Sequence, residues 1–228
     1  MEFSIIIPVL NESDRINLLI EHLCSQAYQT DCEIIVVDGG PEGETIKTIG
    51  NKDVISLLSP PGRARQMNCG SAFAKGDILI FLHADTRLPC KAFNQIRLAL
   101  NHGKCHCGAF DLCIRSDRLI FKIIGFMASM RSRLTRLPYG DQSFFVKKDY
   151  FYEIGGYKDI PLMEDIEIMQ RIKRRGDRIC ILSDRVSTSP RRWNKEGIVY
   201  CTLRNWIILV LYLAGVSPKR LTGYYMNG

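Results

Sequence analysis

Four times in its first hundred residues the chain passes from a short apolar run to a segment with helical spacing. Residues 3–7, 33–37, 54–58 and 77–82 have the length and β-branched content of buried strands. Between and after them, residues 16–23 repeat Ile16, Leu19, Ile20 and Leu23 at helical spacing, with Ser13 placed as an N-cap. Residues 45–49, 63–75 and 89–101 read as further helices. Such alternation predicts an α/β fold with a mostly parallel sheet covered on both faces. Ligands of these sheets bind beyond the carboxyl ends of the strands. Those ends carry Pro8, Asn11 and Glu12, then Asp38 and Gly39, then His83 and Asp85. Each alone is ordinary turn chemistry; together they mark a site.

Past residue 104 the alternation stops. Strands are expected over 107–114, 142–146 and 178–182, and helices over 119–130 and 164–175, the latter with Ile168 and Ile172 one turn apart. A long apolar helix is expected from 196 to 216. Its uninterrupted apolar run, 206–216, is 11 residues, about 16 Å of helix. A bilayer core needs about 20 residues, so the run is too short to span. Core packing, a homodimer contact and an interfacial position on an anionic membrane are the three alternatives. Arg131, Arg133 and Arg136 flank one apolar helix and Lys219 and Arg220 the other, which suits acidic lipid.

Charge is divided unevenly. Residues 1–114 carry 10 Lys/Arg and 13 Asp/Glu, whereas residues 115–228 carry 21 and 11. The second half therefore faces something anionic. Nucleic acid is disfavoured, because the basic residues lack interleaved aromatic platforms. The nine cysteines form no CxxC pair, so reduced thiols and a cytoplasmic location, peripheral on the inner membrane face if membrane-bound, are the expectation. The first residues show no basic start followed by a signal-type apolar core.

The strand-end residues belong to a longer set of motifs. Residues 4–12 (SIIIPVLNE), 35–39 (IVVDG), 62–70 (GRARQMNCG) and 82–85 (LHAD) are followed by Gly140-Asp141-Gln142, Gly155-Gly156-Tyr157 and Met163-Glu164-Asp165. In order and spacing they resemble the family 2 glycosyltransferases of GT-A fold. Residues 62–70 and 82–89, with Arg191-Arg192-Trp193, are most similar to a bacterial subgroup, the radical-SAM/selenodomain-associated glycosyltransferase-like proteins.

The resemblance implies one GT-A-like domain over 1–228. Residues 1–104 would bind the donor, 105–195 the acceptor, and 196–228 would form a helical tail. It implies a nucleotide-diphosphate-sugar donor, with Asp38 accepting from the base and Pro8, Asn11, Glu12 and Gly39 lining that pocket. Asp85 matches the last Asp of the family's Asp-x-Asp motif and would bind Mg²⁺ or Mn²⁺, hard cations suited to carboxylate and phosphate oxygens. His83 replaces the first Asp, which removes a negative charge. Arg63, at a helix start, would meet a phosphate. Asp165 maps to the catalytic base, with Glu164 beside it and Asp141 as the rival or as an acceptor contact. Arg192 and Trp193 resemble part of a Gln-x-x-Arg-Trp motif and would face an unidentified acceptor, a lipid or small molecule. The implied reaction is inverting transfer of one sugar. The other readings are a nucleotidyltransferase, disfavoured because Pro8-Val9-Leu10-Asn11-Glu12 stands where a Gly-rich basic loop is needed, and a non-catalytic nucleotide-sugar-binding or membrane-docking protein.

Overall fold

The computed structural model describes residues 1–27, 30–101, 103 and 105–226; Lys104, the expected boundary between the halves, lies outside them. The first half runs β1 (Phe3–Val9), α1 (Ile16–Gln26), β2 (Cys32–Asp38), α2 (Glu44–Lys47), β3 (Ile55–Leu58), α3 (Arg63–Phe73), β4 (Ile78–Phe81), β5 (Thr86–Arg87) and α4 (Ala92–Asn101). The second runs β6 (Cys107–Ile114), α5 (Leu119–Thr135), β7 (Phe144–Lys147), α6 (Lys148–Glu153), α7 (Glu164–Arg174), β8 (Ile179–Thr188), α8 (Arg191–Glu196), α9 (Ile198–Leu213) and α10 (Pro218–Met226). A 3-10 turn at Gly140–Gln142 precedes β7.

The eight strands form one sheet in the order β3-β2-β1-β4-β7-β6-β8-β5. β1 pairs in parallel with β2 and β4, β2 with β3, and β6 with β8. β7 runs antiparallel between β4 and β6, and β5 antiparallel to β8. The alternation of side chains divides the core in two. Ile6, Ile35, Val37, Leu79 and Phe81 face one cluster, while Phe3, Ile5, Ile7, Val36 and Ile80 face the other. Both faces are buried, hence the continuous apolar runs in the sequence. The α/β class and the mixed, mostly parallel sheet are as expected.

Two local expectations fail and one holds closely. Ser13 does not cap α1: its hydroxyl donates to the Glu44 carbonyl, and the helix begins later, at Ile16. The long C-terminal helix expected over 196–216 is present as α9, and Gly197, whose φ of 90° suits glycine, separates it from the short α8 before it. The thiols are not all reduced: Cys105, just ahead of β6, is bonded to Cys180 on the adjacent β8. The 75-residue separation hid the pair. Among the described residues no helix is long and apolar enough to cross a membrane.

Candidate active site

A cleft of about 780 Å³ opens at the carboxyl ends of β1 and β4. The loop after β1 contributes Pro8 and Glu12, the start of α3 contributes Arg63, and the loop after β4 contributes His83 and Asp85. β7 enters the sheet against the carboxyl end of β4, with Phe144 opposite Phe81. The turn before it therefore carries Tyr139, Gly140 and Asp141 into the same cleft. Glu164 and Asp165 open α7, and Arg192 and Trp193 on α8 close the far wall. Ten of the thirteen expected site residues thus line one cavity.

The other three lie elsewhere. Asp38 is buried, and its carboxylate accepts from the backbone N–H groups of Gly40 (2.8 Å), Thr45 (2.8 Å) and Ile46 (3.3 Å). It thereby fixes the turn after β2. Gly39 lines a separate groove with Pro41, Leu58 and Pro60. Asn11 is exposed, with φ of 57°, and sits outside the lining of the cleft.

Close approach at Gly140 measures how tightly the parts meet. A methyl added there would lie 2.7 Å from His83 Nε2 and 3.6 Å from Asp165 Oδ2. The Gly140 N–H donates to Asp165 Oδ2 at 2.7 Å, and the Ile166 N–H donates to Oδ1 at 2.8 Å. These two bonds hold the carboxylate by its backbone neighbours and partly offset its burial, which raises its pKa.

The electrostatics are strained. Burial, then Glu12, raises the Asp85 pKa. Burial lifts Asp141 to about 6, with Asp165 and Asp85 adding to the effect and Arg131 and Arg63 opposing it. Burial and Asp165 raise Glu164. Burial and Arg63 push His83 down to about 3, so its imidazole is neutral at pH 7. Arg63 lowers all four carboxylates, and Arg131 lowers Asp141 and Asp165 with it. Asp141 Oδ1 is buried without a hydrogen-bond partner.

Such a donor set fits a hard divalent cation. No three His, Cys, Asp or Glu side chains among the described residues converge on one ion position.

Sequence reasoning missed two residues. Gln66 lines the cleft and donates to the Val9 and Val37 carbonyls at 2.7 and 2.8 Å, tying α3 to the ends of β1 and β2. Arg131 is buried with its guanidinium 3.5 Å above the Tyr139 ring and lowers Asp141 and Asp165. The sequence groups it with Arg133 and Arg136 as a cationic flank for acidic lipid; burial against Tyr139 puts it behind the cleft wall instead. Asn68 and Arg65, in the same motif as Arg63, are tethers: Asn68 bonds the Tyr157 backbone in both directions, and Arg65 pairs with Asp159.

Solved structures share this fold. S. aureus TarS 1-349 in complex with UDP-GlcNAc superposes with a TM-score of 0.64 at 16% identity, over 83% of this chain and 58% of that one. TarS 1-349 alone gives 0.64 at 16% identity, over 98% and 69%. Longer TarS gives 0.60 at 15% identity, over 99% of this chain and 42% of that one. The likeness shows the fold. No curated protein matches the chain. The family described as Glycosyl transferase family 2 matches residues 4–158, and the chain belongs to it.

Proposed function

We propose that the chain transfers a single sugar from a nucleoside-diphosphate sugar to an acceptor hydroxyl, with inversion. The observation that carries this is the meeting of Asp85, Asp141, Glu164 and Asp165 around Arg63 and a neutral His83 at the strand ends. Family membership supports the reaction class. TarS, of the same fold, is described with UDP-GlcNAc and with UDP, which supports a uridine donor as the first to try. The motifs around residues 62–70 and Arg191-Arg192-Trp193 suit the radical-SAM/selenodomain-associated subgroup.

In this reading Arg63 meets the diphosphate with its charge and the start of an 11-residue helix behind it. Asp85 and His83 would hold a Mg²⁺ or Mn²⁺ ion, which when bound neutralises charge on the leaving diphosphate. Asp165 takes the acceptor proton as the acceptor oxygen bonds to the anomeric carbon. The bond from that carbon to the phosphate oxygen breaks in the same displacement, its electron pair leaving with the nucleoside diphosphate. One displacement inverts the configuration. Asp141, Arg192 and Trp193 face the acceptor side; a Trp ring offers a flat apolar surface to a sugar or lipid. Asp38, Gly39 and Asn11 serve the nucleoside end by shaping the loops beside the cleft.

A thermal-shift screen of UDP-, GDP-, dTDP- and CDP-sugars, each with Mn²⁺ or EDTA, tests the reading. A ligand at about 100 times its dissociation constant adds roughly 2.7 kcal/mol to stability. One nucleotide series should shift the transition strongly with Mn²⁺. No shift from any of them refutes donor binding, and a shift with no donor hydrolysis refutes the enzyme in favour of a binder.

A further inference from the structure

Two helices expose apolar faces that the fold leaves uncovered. On α5, Leu119, Ile123, Phe126, Met130 and Leu134 are between 43% and 77% exposed. On α9, Val199, Leu203, Trp206, Val210 and Leu213 are between 41% and 71% exposed. Each set recurs at intervals of three and four residues, so each forms one stripe along its helix. The opposite sides are packed: Phe121, Gly125 and Ser129 on α5, and Cys201, Ile208 and Leu209 on α9. Trp193, on the helix leading into α9, meets Phe121 of α5 edge-on at 6.1 Å. The two helices therefore flank one corner of the molecule, beside the mouth of the cleft that Trp193 lines.

The charge of the chain is concentrated on the same two segments. Residues 113–136 and 191–228 together hold 12 Lys/Arg and 2 Asp/Glu, a net of +10. The stretch between them, 137–190, holds 9 of each and is neutral. Arg133 and Arg191 are paired with Asp111 and Glu12, outside these segments, and Arg131 and Arg204 are buried. The surplus persists, and Arg118, Lys122, Lys195, Lys219 and Arg220 are exposed.

An apolar stripe with a basic rim has one complementary partner class. A second copy would bring like charge against like, which opposes pairing through these faces. A neutral apolar surface leaves the cations unused. We propose that α5 and α9 dock the protein on the surface of an anionic lipid bilayer, with the apolar stripes in the headgroup boundary and the cations against acidic lipid. Neither helix spans; α9, at 16 residues, is about 24 Å long and lies along the surface. The inference stands on this surface alone and does not require the activity proposed for the cleft.

Flotation of the full chain with phosphatidylcholine vesicles, with and without phosphatidylglycerol, tests it. Binding should require phosphatidylglycerol and be lost in ~1 M NaCl, where charges are screened beyond about 3 Å. Phe126→Glu with Leu203→Glu, both at exposed positions, should reduce binding by about tenfold or more while the melting temperature is unchanged. Lys122→Glu with Lys219→Glu and Arg220→Glu should do the same and leaves the apolar stripes intact, so a folding failure in the first variant does not decide the question. No flotation of the wild type with phosphatidylglycerol overturns the proposal. So does equal binding to neutral vesicles, or a dimer by sedimentation that Leu203→Glu dissociates.

Discussion

Replacing Asp141 by Asn should stabilise the protein at neutral pH, although it alters the candidate site. Burial, reinforced by Asp165 and Asp85, holds the Asp141 carboxyl at about 6 in the fold, against an ordinary value of 3.8. An unfolded chain ionises this group near pH 4, whereas the folded protein keeps its proton to about pH 6. The stabilisation that the proton provides is complete below pH 4 and is lost as pH rises through 6. The displacement corresponds to about 3 kcal/mol at pH 8 as an upper bound. Partial solvation of the cleft reduces this, so about 1–3 kcal/mol is expected. Asn resembles the protonated acid in shape and stays neutral at every pH, so the variant retains what the wild type loses. For a chain of this size 1 kcal/mol moves the melting temperature by about 2–4 °C, which gives a rise of roughly 2–12 °C at pH 8. Thermal denaturation of both proteins in EDTA from pH 4 to pH 8 reads the effect directly. The gap should open with rising pH and close below pH 4. An equal or lower melting temperature for the variant at pH 8, or a gap independent of pH, refutes the electrostatic account of the site.

Three further outcomes follow from the same geometry. Asp165→Asn should lower turnover by roughly 10²–10⁴-fold with donor binding nearly intact, and the acid limb of the wild-type kcat profile should lie above the usual carboxylate range, because burial raises this group; loss of donor binding instead would assign the pair with Glu164 a structural or metal role. Asp85→Asn should abolish the difference in donor affinity between Mn²⁺ and EDTA, measured by titration calorimetry, and should leave metal-free affinity unchanged or stronger. Reduction of Cys105–Cys180, which closes a span of 75 residues, should cost up to about 4–5 kcal/mol on chain-entropy grounds, visible as a lower melting temperature in dithiothreitol and as a single linked pair in peptide mapping without it.

The half built from parallel strands was legible because its chemistry is local. A strand buried on both faces must be continuously apolar, and the residue that ends it must turn, so Pro8, Asp38 and Asp85 announced themselves together. β6 matched its expected bounds for the same reason. What the sequence hid depends on partners far along the chain. Ser13 looks like a cap until α2 brings the Glu44 carbonyl to it. Asp38 looks like a ligand contact, yet its oxygens are held by three N–H groups of the following loop. Arg131 becomes part of the site only because α5 lies over the turn that carries Tyr139. Cys105 and Cys180 meet only once β6 and β8 are neighbours.

The site's charge follows from the topology. β4 pairs in parallel with β1 and antiparallel with β7, so the end of one strand and the start of the other share an edge of the sheet. That reversal sets Asp85, after β4, facing Asp141, before β7. The opening turn of α7 then adds Glu164 and Asp165, acids that a helix start favours on its own account. Each carboxylate is placed by a locally favourable rule, and only their convergence is unfavourable. Arg63 relieves all four but cannot neutralise them, and Asp141 Oδ1 is left without a partner. A diphosphate entering alone would add negative charge to a negative site. On the proposed reading protons or a divalent cation would accompany it, and the imbalance that makes Asp141→Asn stabilising would link donor binding to pH and to metal.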